Sequence, residues 1–310
     1  MKIYLDCYPC FVRQTLDAGR IAGADEKTQK RILSSIMQIL ADIPDGTTPP
    51  KMGRMIHETV KDITGNPDPY KEIKRQHNEA IMEMEQELAD RIGESPSPLE
   101  GALKLAGTGN LIDMGPERRW SDIHRIFDGI TTAGEQTLFL LDHFEETLHQ
   151  SQTLLYLGDN AGEIVLDKLL IGLLLAREPN LDIIFAVRGG PIINDATRED
   201  AELIGLADMV RIIDTGAAFP GVELDACSHE FLECYFGADL ILAKGQGNYE
   251  SLSNAKENIF FLLTAKCPVI ADDIGCDVGD LVLLNGDPST NGDAQRFYLN
   301  NTTQQERKKT

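Results

Sequence analysis

The apolar residues between positions 11 and 91 recur every three or four residues, which is the spacing of the buried face of a helix. Two segments rich in Pro, Gly and Asp interrupt this pattern, at 43–50 and 65–69, and residues of these types end helices. A Ser-Pro-Ser-Pro run at 95–98 marks a joint. The pattern therefore predicts an all-helical N-terminal domain over residues 1–95.

Beyond a further helical stretch that ends near His149, short β-rich runs alternate with amphipathic segments. The predicted strands are 153–157, 183–187, 210–213, 240–243, 259–263 and 269–271. A succession of strand, loop and helix favours right-handed crossovers and a mostly parallel sheet covered on both faces. We therefore expect an α/β fold, with a Rossmann-like domain over residues 96–286 and a polar tail at 287–310.

Composition and charge narrow the classes of function. The 29 Lys and Arg against 50 Asp and Glu leave a net charge of -21, which repels nucleic-acid phosphates and anionic lipid and tolerates bound cations. The most apolar run, at 169–176, is far shorter than the roughly 20 residues of a membrane helix. Asp6 interrupts any signal core, and reduced thiols are typical of a cytosol. We expect a cytoplasmic protein that binds neither nucleic acid nor membrane.

The candidate chemistry lies directly after the predicted strands, because open parallel sheets bind ligands beyond the carboxyl ends of their strands. The first two such loops contain Asp159, Asn160 and Asp195. Oxygen ligands without His or Cys suit Mg²⁺ or Mn²⁺, and three of them leave about three octahedral positions for water and substrate. The alternative is that Asp159 and Asp195 only cap helices, in the way that Thr197 and Asp200 form a capping box.

The loop after the fourth predicted strand begins with Lys244 and continues as a Gly-Gln-Gly-Asn turn that ends at Asn248. Backbone N–H groups of such a turn can approach an anion closely while the ammonium neutralises it. The Lys precedes the glycines, so this is not a P-loop. The turn predicts phosphate binding by Lys244, with Asn248 as a further substrate contact. A tight connection between strand and helix is the alternative.

Several segments together carry a resemblance that none of them carries alone. They are CYPC at 7–10, GNPDPYKEIKRQHNE at 65–79, GNLIDMG at 109–115, GDNAGE at 158–163, VRGGPIINDAT at 187–197 and ADLILAKGQGNYESL at 238–252. In order and spacing they resemble the damage-control phosphatase family, long catalogued as domain of unknown function 89. The CYPC segment is similar to its stand-alone prokaryotic branch. The resemblance covers nearly all of the chain to about Gly286.

The resemblance implies a phosphatase that acts on small phosphorylated metabolites with Mn²⁺, Ni²⁺, Co²⁺ or Mg²⁺. By motif, it implies that Asp159, Asn160 and Asp195 are the metal ligands and that Lys244 binds the phosphate. This agrees with the chemistry of a phosphate monoester, whose hydrolysis needs charge neutralisation and an in-line water.

Three further residues fall in segments that line the family's pocket, namely Asn110, Asp113 and Glu163. The sequence lacks the Asp-x-Asp strand end of an aspartyl-phosphate phosphatase, which favours direct attack by water. Asp113 and Glu163 are the candidates for the general base, and Asn110 is a candidate substrate contact.

A second polar cluster contains Asp68, Tyr70, Lys74 and Asn78. Lys74 and Asn78 are four residues apart and therefore share a helical face. We predict that Asp68, Lys74 and Asn78 contact the substrate. A solvated helix surface is the alternative.

Cys7 and Cys10 have the spacing of half a zinc site or of a redox pair. Cys267 is a candidate third thiol, because it lies in the family-like segment AKCPVIA. The three cysteines predict a structural metal site or a redox function. Buried free thiols are the alternative.

Two other functions stay open beside the phosphatase. An S-adenosylmethionine-dependent carboxyl methyltransferase, proposed for a eukaryotic branch of the family, would need a Gly-rich loop after the first strand. Here that loop is acidic, and Arg188 follows the second strand. Both features disfavour the methyltransferase. A non-catalytic protein that binds a metal or a phosphometabolite would need nearly the same ligands as an enzyme.

Overall fold

One sheet of six strands lies at the centre of the fold. The structure is a computed structural model that describes residues 1–108 and 139–286. The strands are β1 (Thr153–Leu157), β2 (Asp182–Val187), β3 (Arg211–Asp214), β4 (Leu240–Lys244), β5 (Ile259–Thr264) and β6 (Leu281–Asn285). Their order is β3-β2-β1-β4-β5-β6, in which β1 to β5 are parallel and β6 is antiparallel to β5. The predicted α/β class with a mostly parallel sheet is confirmed.

Helices precede the sheet and connect its strands. Those before β1 are α1 (Cys7–Ile21), α2 (Glu26–Ala41), α3 (Pro49–Thr64), α4 (Lys71–Met82), α5 (Glu85–Glu94), α6 (Pro98–Thr108) and α7 (Leu141–Gln150). Those after β1 are α8 (Glu163–Arg177), α9 (Arg198–Leu203), α10 (His229–Gly237), α11 (Gly245–Leu252) and α12 (Pro268–Ile274). In the described part of the chain, no helix is both long and apolar enough to cross a membrane.

The predicted breaks between the N-terminal helices follow from their caps. Thr48 accepts a hydrogen bond from the N–H of Lys51 and is followed by Pro49 at the first turn of α3, where a missing N–H costs nothing. Gly65 ends α3 in the left-handed conformation that glycine adopts readily. These residues lie within the predicted breaks at 43–50 and 65–69.

The prediction of a strand at 269–271 is wrong. This segment belongs to α12, which begins at Pro268 after the N-cap Cys267 and ends at the left-handed Gly275. The sixth strand is instead Leu281–Asn285. A three-residue apolar run does not distinguish a strand from a short buried helix. The alternation of strand and helix continues to β6, but β6 runs antiparallel to β5.

The apolar core lies on both faces of the sheet. Alternate residues of the strands pack against α5 to α9 on one face and against α10 to α12 on the other. Ile81 of α4 and Leu88 of α5 belong to the first of these clusters, whereas α1, α2 and α3 form smaller clusters of their own. Part of the helical N-terminal segment therefore shares the core of the sheet. The division at residue 95 stays a prediction, and the tail at 287–310 lies outside the described residues.

The sheet reverses its winding between β1 and β4, which are neighbours but not consecutive. Ligands of doubly wound sheets bind at such a switch point. The loops after β1, β2 and β4 contain the segments from which we predicted the site.

Candidate active site

The loops after β1 and β2 bring the three predicted metal ligands together. Asn160 and Asp195 form an antiparallel bridge, and the N–H of Ala196 donates to the carbonyl oxygen of Asp159 at 2.8 Å. Asp159, Asn160 and Asp195 are buried, and all three line a cavity of about 580 Å³. Neither aspartate is a helix cap, because Gly162 caps α8 and Thr197 caps α9. The helix-capping alternative thus finds no support in the structure.

Arg188, which directly follows β2, orients both aspartates. Its Nε donates to Oδ2 of Asp195 at 2.6 Å, and its Nη2 lies 3.4 Å from Oδ1 of Asp159. Its Nη1 donates to Oδ1 of Asn248 at 3.0 Å. Asn248 is buried and donates from Nδ2 to the carbonyl oxygen of Lys244 at 2.8 Å. Asn248, predicted as a substrate contact, thus connects Arg188 to the backbone of the turn.

Glu163 adds a third carboxylate to this wall of the cavity. Nδ2 of Asn160 donates to Oε1 of Glu163 at 2.8 Å and to Oδ2 of Asp159 at 3.0 Å. Burial raises the pKa of both Asp195 and Glu163, and the negative charge of Asp159 adds to each shift. The site therefore concentrates carboxyl groups out of water, where burial and their mutual repulsion disfavour the charged forms.

This donor set fits a divalent cation. Carboxylate and amide oxygens suit Mg²⁺ and Mn²⁺, and a cation would relieve the mutual repulsion of the buried carboxylates. Within the described residues, no group of three or more His, Cys, Asp or Glu is arranged to hold a metal ion. The predicted set differs from such a group because its third donor is the amide of Asn160.

The structure places Lys244 away from the cavity, which differs from the prediction. Its Nζ donates to Oδ1 of Asp167 at 2.8 Å and to the carbonyl oxygen of Ala106 at 2.7 Å. The residue is 1% exposed and is not among the residues that line the cavity. An ammonium that is already paired with a buried carboxylate is poorly placed to bind a phosphate.

Lys266 and Arg13 are cationic side chains that do line the cavity. Lys266 follows β5 and lies close enough to Glu163 to lower its pKa. The rule of strand ends that indicates Lys244 applies equally to Lys266, which lies in the loop after β5. Arg188, at the end of β2, is a further residue that the same rule indicates.

The predicted substrate contacts Asp68, Lys74 and Asn78 lie together but not on the cavity lining. Lys74 Nζ is 3.5 Å from Oδ2 of Asp68 and 3.3 Å from Oδ2 of Asp200. Lys74 and Asn78 are buried, so the alternative of a solvated helix surface does not describe them. Their neighbour Tyr70 does line the cavity. Asn110 and Asp113 lie outside the described residues.

The cysteines Cys7, Cys10 and Cys267 all line the same cavity. Burial raises the pKa of the Cys7 and Cys10 thiols, and the charge of Cys267 adds to both shifts. Amide Nε2 of Gln246 is 3.9 Å from Sγ of Cys267. Although the CYPC segment is distant in sequence from the loops that carry the aspartates, the fold brings it to the same site.

Comparison with known proteins finds relatives that match nearly the whole chain. A family model described as the damage-control phosphatase ARMT1-like domain matches residues 3–282. An uncharacterized protein of Methanocaldococcus jannaschii is 34% identical over 296 residues, which cover 92% of this chain and 95% of that protein. A damage-control phosphatase of Pyrococcus horikoshii is 34% identical over 293 residues, which cover 92% of this chain and 98% of that protein.

A solved structure has a similar fold over nearly the whole chain. The crystal structure of a DUF89 family protein from Pyrococcus horikoshii superimposes with a TM-score of 0.84 at 32% sequence identity. The match covers 93% of this chain and 100% of that one.

Proposed function

The chain belongs to the damage-control phosphatase ARMT1-like family, and from this premise we propose that it hydrolyses small phosphorylated metabolites in a reaction that depends on a divalent cation. Mn²⁺, Ni²⁺, Co²⁺ and Mg²⁺ are the cations to test. The observation that supports the proposal most strongly is the convergence of Asp159, Asn160 and Asp195 on one wall of the cavity.

The chain's own residues supply distinct parts of the reaction. Asp159, Asn160 and Asp195 would hold the cation, and Arg188 fixes the orientation of both carboxylates. When bound, a divalent cation neutralises a phosphate oxygen and lowers the pKa of a bound water. Lys266 lies on the same cavity and is the candidate to neutralise the rest of the phosphate dianion.

Glu163 is the described candidate for the general base. Its carboxylate lines the cavity and is held by the hydrogen bond from Asn160. A carboxylate in this place can accept a proton from the attacking water without a covalent enzyme intermediate. The direct attack that the sequence favours is compatible with this arrangement.

The test is a phosphate-release assay on protein that has been stripped of metal with a chelator. Sugar phosphates, nucleotides, phosphorylated cofactors and an aryl phosphate are each offered with each of the four cations. We expect turnover only after a cation is restored. We expect Asp195→Asn, which keeps the size of the side chain, to lose both turnover and Mn²⁺ affinity. Asp272→Asn, which removes an exposed carboxylate outside the cavity, is the matched control.

Two results would overturn the proposal. Equal turnover with and without a cation would remove the metal from the reaction. Tight Mn²⁺ binding without hydrolysis of any phosphate ester would favour the non-catalytic alternative.

A further inference from the structure

Asn78 of α4 connects the two loops that carry the proposed metal ligands. Its Oδ1 accepts a hydrogen bond from the N–H of Gly162 at 2.6 Å, and its Nδ2 donates to Oδ1 of Asp200 at 3.0 Å. Gly162 ends the loop of Asp159 and Asn160, and Asp200 lies in the first turn of the helix that follows Asp195. One fully buried amide therefore binds both segments.

Asp200, which accepts the hydrogen bond from Asn78, also accepts hydrogen bonds from two other residues. Its Oδ2 accepts hydrogen bonds from the backbone N–H of Thr197 at 2.8 Å and from the hydroxyl of Thr197 at 2.7 Å, so the predicted pairing of these two residues is confirmed. Lys74 Nζ donates to the same oxygen at 3.3 Å. Because Lys74 and Asn78 are four apart on α4, one helix supplies both a cation and a hydrogen-bond donor to Asp200.

The hydrogen bond from Gly162 to Asn78 holds the loop of Asp159 at a point where its backbone has a positive φ. Gly162 has a φ of +85°, and a Cβ at this position would lie 3.1 Å from Cβ of His77 on α4. The loop therefore packs directly on the helix, and Asn78 satisfies an N–H that is sealed from water. The next residue is Glu163, which shares Asn160 with Asp159. A shift at Gly162 would be transmitted to these side chains within a few bonds.

We propose that Asn78 and Asp200 are positioning residues that hold the two ligand loops in the geometry needed to bind the divalent cation, and that they do not contact the substrate. The inference rests on the proposed function, because it concerns the same cation site. It replaces the expectation that Asp68, Lys74 and Asn78 bind substrate. Residues that hydrogen-bond metal ligands directly typically contribute about 10–100-fold to metal affinity or activity, and we expect a loss in this range when the ligand loops are no longer held.

The hydrogen bond from Asn78 to Asp200 allows a test in which the amide and the carboxylate exchange positions. Asn78→Asp keeps the acceptor for Gly162 but sets a carboxylate against Oδ1 of Asp200. Asp200→Asn removes the charge that Lys74 binds, and it sets an NH₂ group against either the amide of Asn78 or the N–H of Thr197, because only one oxygen remains to accept. The double variant Asn78→Asp/Asp200→Asn reverses the donor and acceptor, keeps the net charge and leaves an amide oxygen for Thr197. The carboxylate also remains within reach of Lys74, since positions 74 and 78 share a helical face.

The experiment measures Mn²⁺ affinity by the electron paramagnetic resonance signal of free Mn²⁺, on full-length protein well below the melting temperature of each variant. We expect each single variant to bind Mn²⁺ about 10–100-fold more weakly than the wild type and the double variant to recover most of the loss. Turnover with saturating Mn²⁺ should recover in parallel, while KM for the substrate at saturating Mn²⁺ stays near the wild-type value.

Tyr235→Phe is the matched control for a loss of stability alone. It removes the hydrogen bond from the Tyr235 hydroxyl to Glu257 at a residue outside the cavity lining, and it should leave Mn²⁺ affinity unchanged. Single variants that melt earlier but bind Mn²⁺ as tightly as the wild type would overturn the inference, as would a raised KM with unchanged metal affinity. A wild type that binds none of Mn²⁺, Ni²⁺, Co²⁺ and Mg²⁺ would instead refute the proposed function.

Discussion

The carboxylate of Asp159 packs against the backbone of Gly245 so closely that a Cβ at position 245 would lie 1.9 Å from Oδ2 of Asp159. Gly245 also has a φ of +79°, a conformation that glycine adopts readily and other residues rarely do. The Gly-Gln-Gly turn, which the sequence suggested as an anion-binding loop, therefore makes room for a proposed metal ligand.

Gly245→Ala should consequently disable the site. The added methyl group must displace Asp159, and a misplacement of about 1 Å in a catalytic arrangement can cost about 10²-fold in rate. Gly275→Ala is a control that separates the clash from the backbone strain, because Gly275 has a φ of +85° and a Cβ added there would meet no atom within 4 Å. That control should cost about 1–2 kcal/mol of stability and leave Mn²⁺ affinity intact. Phosphate release and Mn²⁺ binding measure the difference, and equal effects of the two variants would contradict the role of Gly245.

Replacing Lys244 and Lys266 one at a time should separate their functions. We expect Lys266→Met to lower turnover by about 10²–10³-fold, the effect of removing one charge contact to a transition state, with little change in melting temperature. Lys244→Met should instead destabilise the protein by about 3–5 kcal/mol, because it leaves the buried carboxylate of Asp167 without its cation. Oδ2 of Asp167 already has no hydrogen-bond partner in the described structure.

Urea unfolding and steady-state kinetics distinguish these outcomes. A stable Lys244→Met protein with greatly reduced turnover would support Lys244 as the phosphate-binding cation. A fully active Lys266→Met protein would remove Lys266 from the site.

The sequence was informative about the site to the extent that the chemistry lies at the ends of strands. Asp159, Asn160 and Asp195 could be predicted because β1 and β2 are apolar runs followed at once by polar residues. Lys244 satisfies the same rule, yet its side chain turns to Asp167 on α8. A strand end fixes where the backbone leads, whereas the direction of a long side chain depends on the partner that tertiary packing provides.

The helical segment shows the complementary limit. Periodicity placed Lys74 and Asn78 on one face of a helix, and that prediction is consistent with their shared partner Asp200. Whether that face meets substrate or another loop depends on long-range packing, since Asp200 lies 122 residues from Asn78. No local pattern in the sequence records such a contact.

Alkylation of the cavity thiols should inactivate the enzyme. Cys10 is exposed and lines the cavity with Cys7 and Cys267, so a maleimide adduct there would occupy space that the substrate needs. We expect N-ethylmaleimide to abolish most of the turnover of the wild type. A variant with all three cysteines changed to serine should resist, although the half-buried Cys227 and Cys234 remain available for labelling.

Mass spectrometry of the labelled sites and elemental analysis complete that test. Loss of bound zinc and of thermal stability in the serine variant would favour the structural-metal interpretation. Activity that falls on mild oxidation and returns with a reductant would favour the redox interpretation. Full inactivation of the serine variant by the maleimide would show that the sensitive thiol lies elsewhere.

Neutral His57 contributes stability that should be lost in mild acid. This residue of α3 is 2% exposed, and burial, together with the positive charge of Lys61, lowers its pKa from 6.5 to about 4. Between pH 6.5 and 4, His57 is therefore protonated in the unfolded chain but neutral in the folded protein. The stability that neutral His57 contributes is complete above pH 6.5 and is lost as the pH falls toward 4. At pH 5 the loss amounts to about 2 kcal/mol.

His57→Gln, which keeps a polar group beside Gln14, should lose about 2 kcal/mol less stability than the wild type between about pH 7 and pH 5 in urea unfolding. Parallel pH dependence of the two proteins would contradict this assignment.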